Sequence, residues 1–144
     1  MVVVPVNYLA VVAAAVAAFV ISWLWYGPIF GKAWMKSAGM GELTPEMKAM
    51  GMKKMPMNMM IQFVGTLLMA YVLQHSLVFA SAYMQASGLS AGLMAGFWSW
   101  LGFVAPVTVG MVLWEGRPWK YWCIVAGNWL VNLLVVGAIL ALWV

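Results

Sequence analysis

Apolar residues dominate four long stretches of the chain, 7–26, 59–79, 91–113 and 121–143, and every charged side chain falls between them, within 32–54 or 115–120. A helix rises about 1.5 Å per residue, so roughly 20 apolar residues cross a ~30 Å hydrocarbon core. Each stretch meets that length. The runs are continuous and rich in Ala, Leu and Val, without the alternation in ten-residue segments that marks a membrane barrel. The pattern predicts an all-α polytopic membrane protein: a single transmembrane domain over 1–144, folded as a four-transmembrane-helix bundle. Loop one spans 27–58, loop two 80–90 and loop three 114–120.

Composition agrees. The chain is 67% hydrophobic and 7% charged, where soluble domains carry about 25% charged residues. The first stretch reads as a mature span rather than a signal peptide, because residues 1–6 lack the Lys or Arg of such a leader. Loop one holds Lys32, Lys36, Lys48, Lys53 and Lys54 against Glu42 and Glu46; loop three holds Arg117 and Lys120 against Glu115. Cationic loops stay in the cytoplasm. Loops one and three therefore face inward, and both termini are expected outside the cell's inner (plasma) membrane. Cations that flank spans meet lipid headgroups, so the bilayer is the expected partner and nucleic acid is not. The single cysteine, Cys123, cannot form an internal disulfide and reads as a small hydrophobe.

Loop one carries the main polar structure. Gly27-Pro28 is expected to stop the first helix. Thr44-Pro45-Glu46 reads as a helix start, with Thr as cap, Pro in the first turn and an acid beside it. Pro56 is expected to end that helix. With Met47, Met50 and Met55 turned one way and Lys48 and Lys53 reaching toward phosphates, it predicts a short amphipathic helix on the inner membrane surface.

In the third span Gly88, Gly92 and Gly96 recur every four residues, which lets another backbone approach closely. That neighbour is either another span or a second copy, so a homo-oligomer or a larger membrane complex is an expected assembly. Pro106 lacks an N–H and is expected to kink the same span at the carbonyl of Gly102.

Catalytic constellations are absent: there is no Asp, only one His, and the three Glu residues lie in loops. No acid pair, Ser-His-acid set or phosphate-cradling loop assembles, so the chain is expected not to be an enzyme and to need no cofactor. Eight of the 14 methionines lie within 40–60, and thioethers suit Cu(I). His75, however, stands about 24 Å along the helix from Met59, and Cys123 lies at the other end of the bundle from it. No metal site is assigned; methionine is an adaptable apolar filler.

Polar residues inside the spans are more telling. Gln62 and Thr66 share one helix face, as do Asn128 and Asn132; Thr66 and Asn128 lie at similar depth, with Ser22 a little nearer the cytoplasm. Unpaired amides in hydrocarbon are costly, so these groups bond across helices or line a polar pocket. At the cytoplasmic rim, Trp25-Tyr26-Gly27-Pro28, continuing to Lys32 and Trp34, is echoed by Trp114-Glu115-Gly116-Arg117-Pro118-Trp119. Trp anchors depth at the headgroups. Glu115 and Arg117 are expected to pair with each other or with Lys32, locking loop three to loop one.

At these two loops the chain resembles the bacterial membrane family called Domain of Unknown Function 1761. The resemblance rests on Asn7-Tyr8-Leu9-Ala10, on Trp23-Leu24-Trp25-Tyr26-Gly27-Pro28 with Phe30-Gly31-Lys32-Ala33-Trp34-Met35, and on residues 103–122 around Trp114-Glu115-Gly116-Arg117-Pro118-Trp119. Gly127-Asn128 and Gly137-Ala138-Ile139-Leu140 extend it over nearly the whole length. The Met-rich part of loop one departs from the family pattern. The resemblance implies four spans and supplies no activity.

The leading functional reading is a non-enzymatic oligomeric or accessory membrane subunit. The alternative is a small transporter or channel, with Ser22, Gln62, Thr66 and Asn128 lining a pocket open to the cytoplasm and closed by Glu115 and Arg117. Met-based copper handling is the weaker alternative.

Overall fold

The computed structural model describes residues 5–143; the expectations for the uncharged ends, residues 1–4 and 144, lie outside them. Helix α1 (Tyr8–Leu24) begins at Asn7, whose side-chain oxygen accepts the Ala10 N–H at 3.1 Å, a capping bond that satisfies one of the free donors of the first turn. The helix does not stop at Gly27-Pro28 as expected. Pro28 has no N–H to continue the α ladder, and the backbone widens into a π turn over Trp25–Ile29, closed by the Phe30 N–H on the Trp25 carbonyl at 2.8 Å. Helix α2 (Gly31–Ser37) follows directly. It needs glycine at its start, because a Cβ on Gly31 would fall 2.6 Å from the Tyr26 carbonyl oxygen.

Helix α3 (Pro45–Met84) starts where the sequence places a helix, with Thr44 Oγ1 accepting the Met47 N–H at 3.2 Å. It then runs for 40 residues straight past Pro56. The expected short surface helix and the second span are thus one element. Proline removes one hydrogen bond and crowds the carbonyl four residues back, which bends a helix but need not end it where water can solvate the freed carbonyl. Every residue from Pro45 to Gln62 is exposed. Loop two is shorter than expected, at 85–87, with Gln85 (φ 53°) closing α3 in the left-handed region.

The third span is assembled from α4 (Gly88–Ser99), a π turn at Trp100–Val104, α5 (Ala105–Thr108) and α6 (Gly110–Leu113). Here too the proline acts through a π turn. The Ala105 N–H closes on the Trp100 carbonyl just before Pro106, and Thr108 Oγ1 donates to the Val104 carbonyl at 2.7 Å. Helix α7 (Trp119–Leu142) completes, among the described residues, four helices long and apolar enough to cross a membrane.

Helix α7 is the hub: α1 and α4 flank it, and α3 also touches it. The core joins Ala10, Ala14 and Ala18 of α1 to Ala70, Leu73 and Leu77 of α3 and to Leu133, Val136 and Leu140 of α7. Alanines every four residues keep α1 close to its neighbours, since lipid tails are as apolar as leucine and association rests on close contact. The tightest contact is between α4 and α7. A Cβ on Gly92 would fall 2.7 Å from the Ala141 Cβ and closer still to the Gly137 carbonyl, and one on Gly96 would collide with the Leu133 carbonyl. The close-packing face of the third span is therefore occupied by the fourth span of the same chain. Gly88 is not part of it. With φ at 74° and nothing within 4 Å of an added Cβ, it serves the turn into α4. Between α3, the Trp100–Val104 π turn and α7 lies an apolar groove of about 370 Å³ lined by Leu68, Val72, Phe103 and Leu133.

Candidate functional site

The most concentrated polar chemistry lies where α1 meets α7. Asn128 and Asn132 are each 1% exposed, one turn apart on α7, and Ser22 reaches them from α1. Asn132 Nδ2 donates to Ser22 Oγ at 2.8 Å and to Asn128 Oδ1 at 3.0 Å. Ser22 Oγ donates to Asn128 Oδ1 at 3.2 Å. The triangle is closed, and turning both amides over preserves it: Asn128 would then donate to Ser22 and Asn132, and Ser22 to Asn132. In either arrangement one amide donor and one amide acceptor stay unmatched; here these are Asn128 Nδ2 and Asn132 Oδ1.

Two tryptophans brace this core. Trp25 Nε1 donates to the Ile124 carbonyl at 3.0 Å and Trp100 Nε1 to the Ala126 carbonyl at 2.8 Å. Each is the first residue of a π turn. Widening the turn re-aims the side chain that begins it, and such turns recur at functional positions. Gly127 makes room, since a Cβ there would lie 3.3 Å from the Trp25 ring. A third indole, Trp122 Nε1, donates to Thr108 Oγ1 at 3.1 Å and ties α7 to the third span.

The remaining residues singled out from the sequence are not gathered here. Thr66 is buried, but its hydroxyl donates to the Gln62 carbonyl of its own helix at 2.9 Å, and the Gln62 side chain is exposed. The cavities of about 430 and 370 Å³ are lined by residues other than Ser22, Asn128 and Asn132. At the rim, Trp34 stands edge-on to Tyr26 with ring centres 5.5 Å apart, while Gly27, Pro28, Lys32, Trp114, Glu115 and Trp119 are exposed. Loops one and three are joined, though not by the expected ion pair. Arg117 Nη1 donates to the Ala38 carbonyl at 2.7 Å, and its guanidinium carbon sits 5.4 Å from the centre of the Tyr121 ring. A guanidinium satisfies a carbonyl and an aromatic face together, and this leaves Glu115 to solvent. At the opposite end Asn7 Nδ2 donates to the Trp143 carbonyl at 3.0 Å, so Asn7 and Trp143 meet on one side of the bundle.

Among the described residues no group of three or more His, Cys, Asp or Glu side chains stands close enough to hold a metal ion. His75 Nδ1 lies 2.9 Å from the Tyr71 carbonyl of its own helix, with its ring 4.4 Å from that of Tyr71. Gln74 escaped the sequence reading. It is 5% exposed and its Oε1 has no partner among the described residues. Continuing the four-residue row of Gln62 and Thr66 through Ala70 reaches it.

A bundle of four apolar spans around a buried amide core defines a multi-pass helical membrane protein. The chain belongs to the family described as "Protein of unknown function (DUF1761)", which matches residues 9–141. No curated protein and no solved structure matches the chain.

Proposed function

We propose that this chain is a non-enzymatic accessory subunit of the bacterial inner membrane, with both termini extracytoplasmic, that docks a partner protein on the cytoplasmic part of α3. The observation that carries this reading is the uninterrupted exposure of Pro45 to Gln62. A 40-residue helix is about 60 Å long, twice the ~30 Å hydrocarbon thickness, so its first half stands clear of the bundle. A helix segment of that length is marginal in water on its own. Gly51 and Pro56 weaken it further, by about 1 and 3 kcal/mol relative to alanine. A packed partner supplies what the segment lacks.

The methionines favour protein over a lipid surface. Met52 and Met57 point about 140° apart at 100° per residue, and both are exposed. A helix lying flat on a bilayer concentrates its apolar residues on one side; this one is apolar on several, as a helix set between elements of a partner would be. Methionine suits such adaptable contacts. Lys48, Lys53 and Lys54 against Glu46 favour an acidic partner, and they disfavour parallel pairing of two identical arms, which would set lysine against lysine.

A photo-crosslinking residue at Met52 in the native membrane should give one discrete protein adduct, lost when Lys53 and Lys54 are both replaced by Glu. A self-adduct would make the partner a second copy; adducts to lipid alone would overturn the reading. Orientation has its own test. In a Cys123→Ala background, Ser87→Cys should react with an impermeant maleimide on intact spheroplasts and Gly41→Cys only after permeabilisation. The reverse pattern would invert the topology.

A further inference from the structure

Helix α2 ends in a turn fixed by three hydrogen bonds. Gly39, with φ at 72°, lets its own N–H donate to the Lys36 carbonyl at 3.2 Å and the Met40 N–H donate to the Met35 carbonyl at 3.1 Å, the paired bonds that close a helix through a left-handed residue. Arg117 takes the Ala38 carbonyl from loop three at 2.7 Å. Beyond the turn the chain faces α2 across an open cleft of about 490 Å³, lined by Lys32, Met35 and Lys36 from the helix and by Met40 and Glu42 from the segment after it. All five side chains are exposed. Lys32, Met35 and Lys36 stand three and four residues apart, so they share one face of α2. Two ammonium groups one turn apart can hold a phosphate between them. With the Met35, Lys36 and Ala38 carbonyls already engaged, the end of the helix leaves few free acceptors to repel one.

We propose that this cleft binds the headgroup of a phosphatidylglycerol-type lipid, its phosphodiester held between Lys32 and Lys36 and its terminal diol donating to Glu42. The carboxylate narrows the occupant. A bare phosphate would be set against it, whereas a phosphodiester that carries hydroxyls gives it donors to accept from. Two lysines and one glutamate leave one net positive charge in the cleft, which the single negative charge of such a headgroup neutralises. Depth favours a lipid over a soluble phosphodiester. Helix α2 begins two residues after the first span ends at Ile29, and Arg117 ties its far end to the loop between the third and fourth spans. The cleft therefore sits at the level of the headgroups, where basic pockets at the ends of spans take anionic lipid. Met35 and Met40 add adaptable apolar contact for the part of the lipid nearest its chains. None of these residues belongs to the α3 arm.

The test titrates the full chain in detergent with phosphatidylglycerol, phosphatidylmethanol and phosphatidylcholine of matched acyl chains and counts bound lipid by native mass spectrometry. Phosphatidylmethanol carries the same charge without the diol, so it isolates the contribution of Glu42. Phosphatidylglycerol should bind about tenfold more tightly than phosphatidylmethanol, the discrimination a hydrogen bond to a charged group provides, and phosphatidylcholine more weakly than either. Glu42→Ala should bring the ratio of the first two close to one. Lys32→Gln with Lys36→Gln should weaken phosphatidylglycerol by about fivefold for each lysine removed. Lys48→Gln with Lys53→Gln takes the same charge from the α3 arm and should leave binding as in the parent. Equal affinity for phosphatidylglycerol and phosphatidylmethanol in the parent would overturn the proposal, as would an α2 double variant that binds like the parent or no worse than the α3 one. Displacement of the lipid by water-soluble glycerophosphoglycerol at comparable concentration would overturn it too, by assigning the cleft to a soluble phosphodiester.

Discussion

Gly137→Val should separate α4 from α7 and leave little native bundle. Gly137 and Gly92 face each other so closely that a Cβ on either meets the other's carbonyl group. Valine adds two further carbons and a stiff branch, so neither helix can yield by turning a side chain; one backbone must move. Overpacking in a well-filled core costs about 1–3 kcal/mol and more when backbone is displaced. Here the displaced contact is the one that docks the third span, and close glycine contacts stand in for the hydrophobic drive that lipid removes. A loss of at least ~3 kcal/mol is expected, read as a large fall in the SDS fraction at which the detergent-solubilised protein unfolds. Gly102→Ala is the control. Nothing lies within 4 Å of a Cβ there and the residue is exposed, so that variant should unfold with the parent. A Gly137→Val protein as resistant as the parent would mean that α4 and α7 do not pack in this register.

That contact shows what the sequence could and could not disclose. Glycine every four residues identified the face of the third span but not its neighbour. The complementary signal, Gly137 and Ala141 four apart on the fourth span, was present and had no observation to pair it with. Length and continuity of apolar runs made the four spans legible, because the bilayer imposes a single length on any helix that crosses it. Proline was harder to read. Pro28 and Pro56 read as breaks, yet the chain passes them with a π turn and an uninterrupted helix; at Pro106, where a kink is expected, it uses a second π turn. A missing N–H states what a helix lacks at that point, while its neighbours decide how the lack is absorbed. The tryptophans misled for a related reason. Trp25 looks like an interfacial anchor, yet its indole N–H is bonded inside the bundle to the Ile124 carbonyl. The echo between Trp25 and Trp114 therefore belongs to the loops, whereas the three-dimensional counterpart of Trp25 is Trp100, which opens the other π turn and also bonds α7. Arg117 locks the loops as expected of the rim pair, through a carbonyl and an aromatic ring that a charge pattern does not reveal.

The amide core makes the second large prediction, one of sign. Asn132→Leu removes two hydrogen bonds, to Ser22 and to Asn128, and should destabilise the bundle by about 1–2 kcal/mol. Replacing the whole triangle, with Ser22→Ala, Asn128→Leu and Asn132→Leu together, should recover that loss or exceed it. Removing one partner strands the others in hydrocarbon, whereas removing all of them strands nothing, and the unmatched Asn128 Nδ2 and Asn132 Oδ1 disappear too. A triple variant less stable than Asn132→Leu alone would show that the triangle holds the bundle together. If the triple variant is instead the more stable, the polar residues are kept for something other than stability. Their geometry suggests what: only one rotation of α1 about its axis places Ser22 against both amides, while the alanines around it would tolerate several. Distances between spin labels on α1 and α7, narrow in the parent, should then broaden in the triple variant even as its resistance to SDS rises. Specificity of register is the best-attested use of a buried polar group, and a subunit that must present α2 and the α3 arm in one orientation to a partner has a use for it.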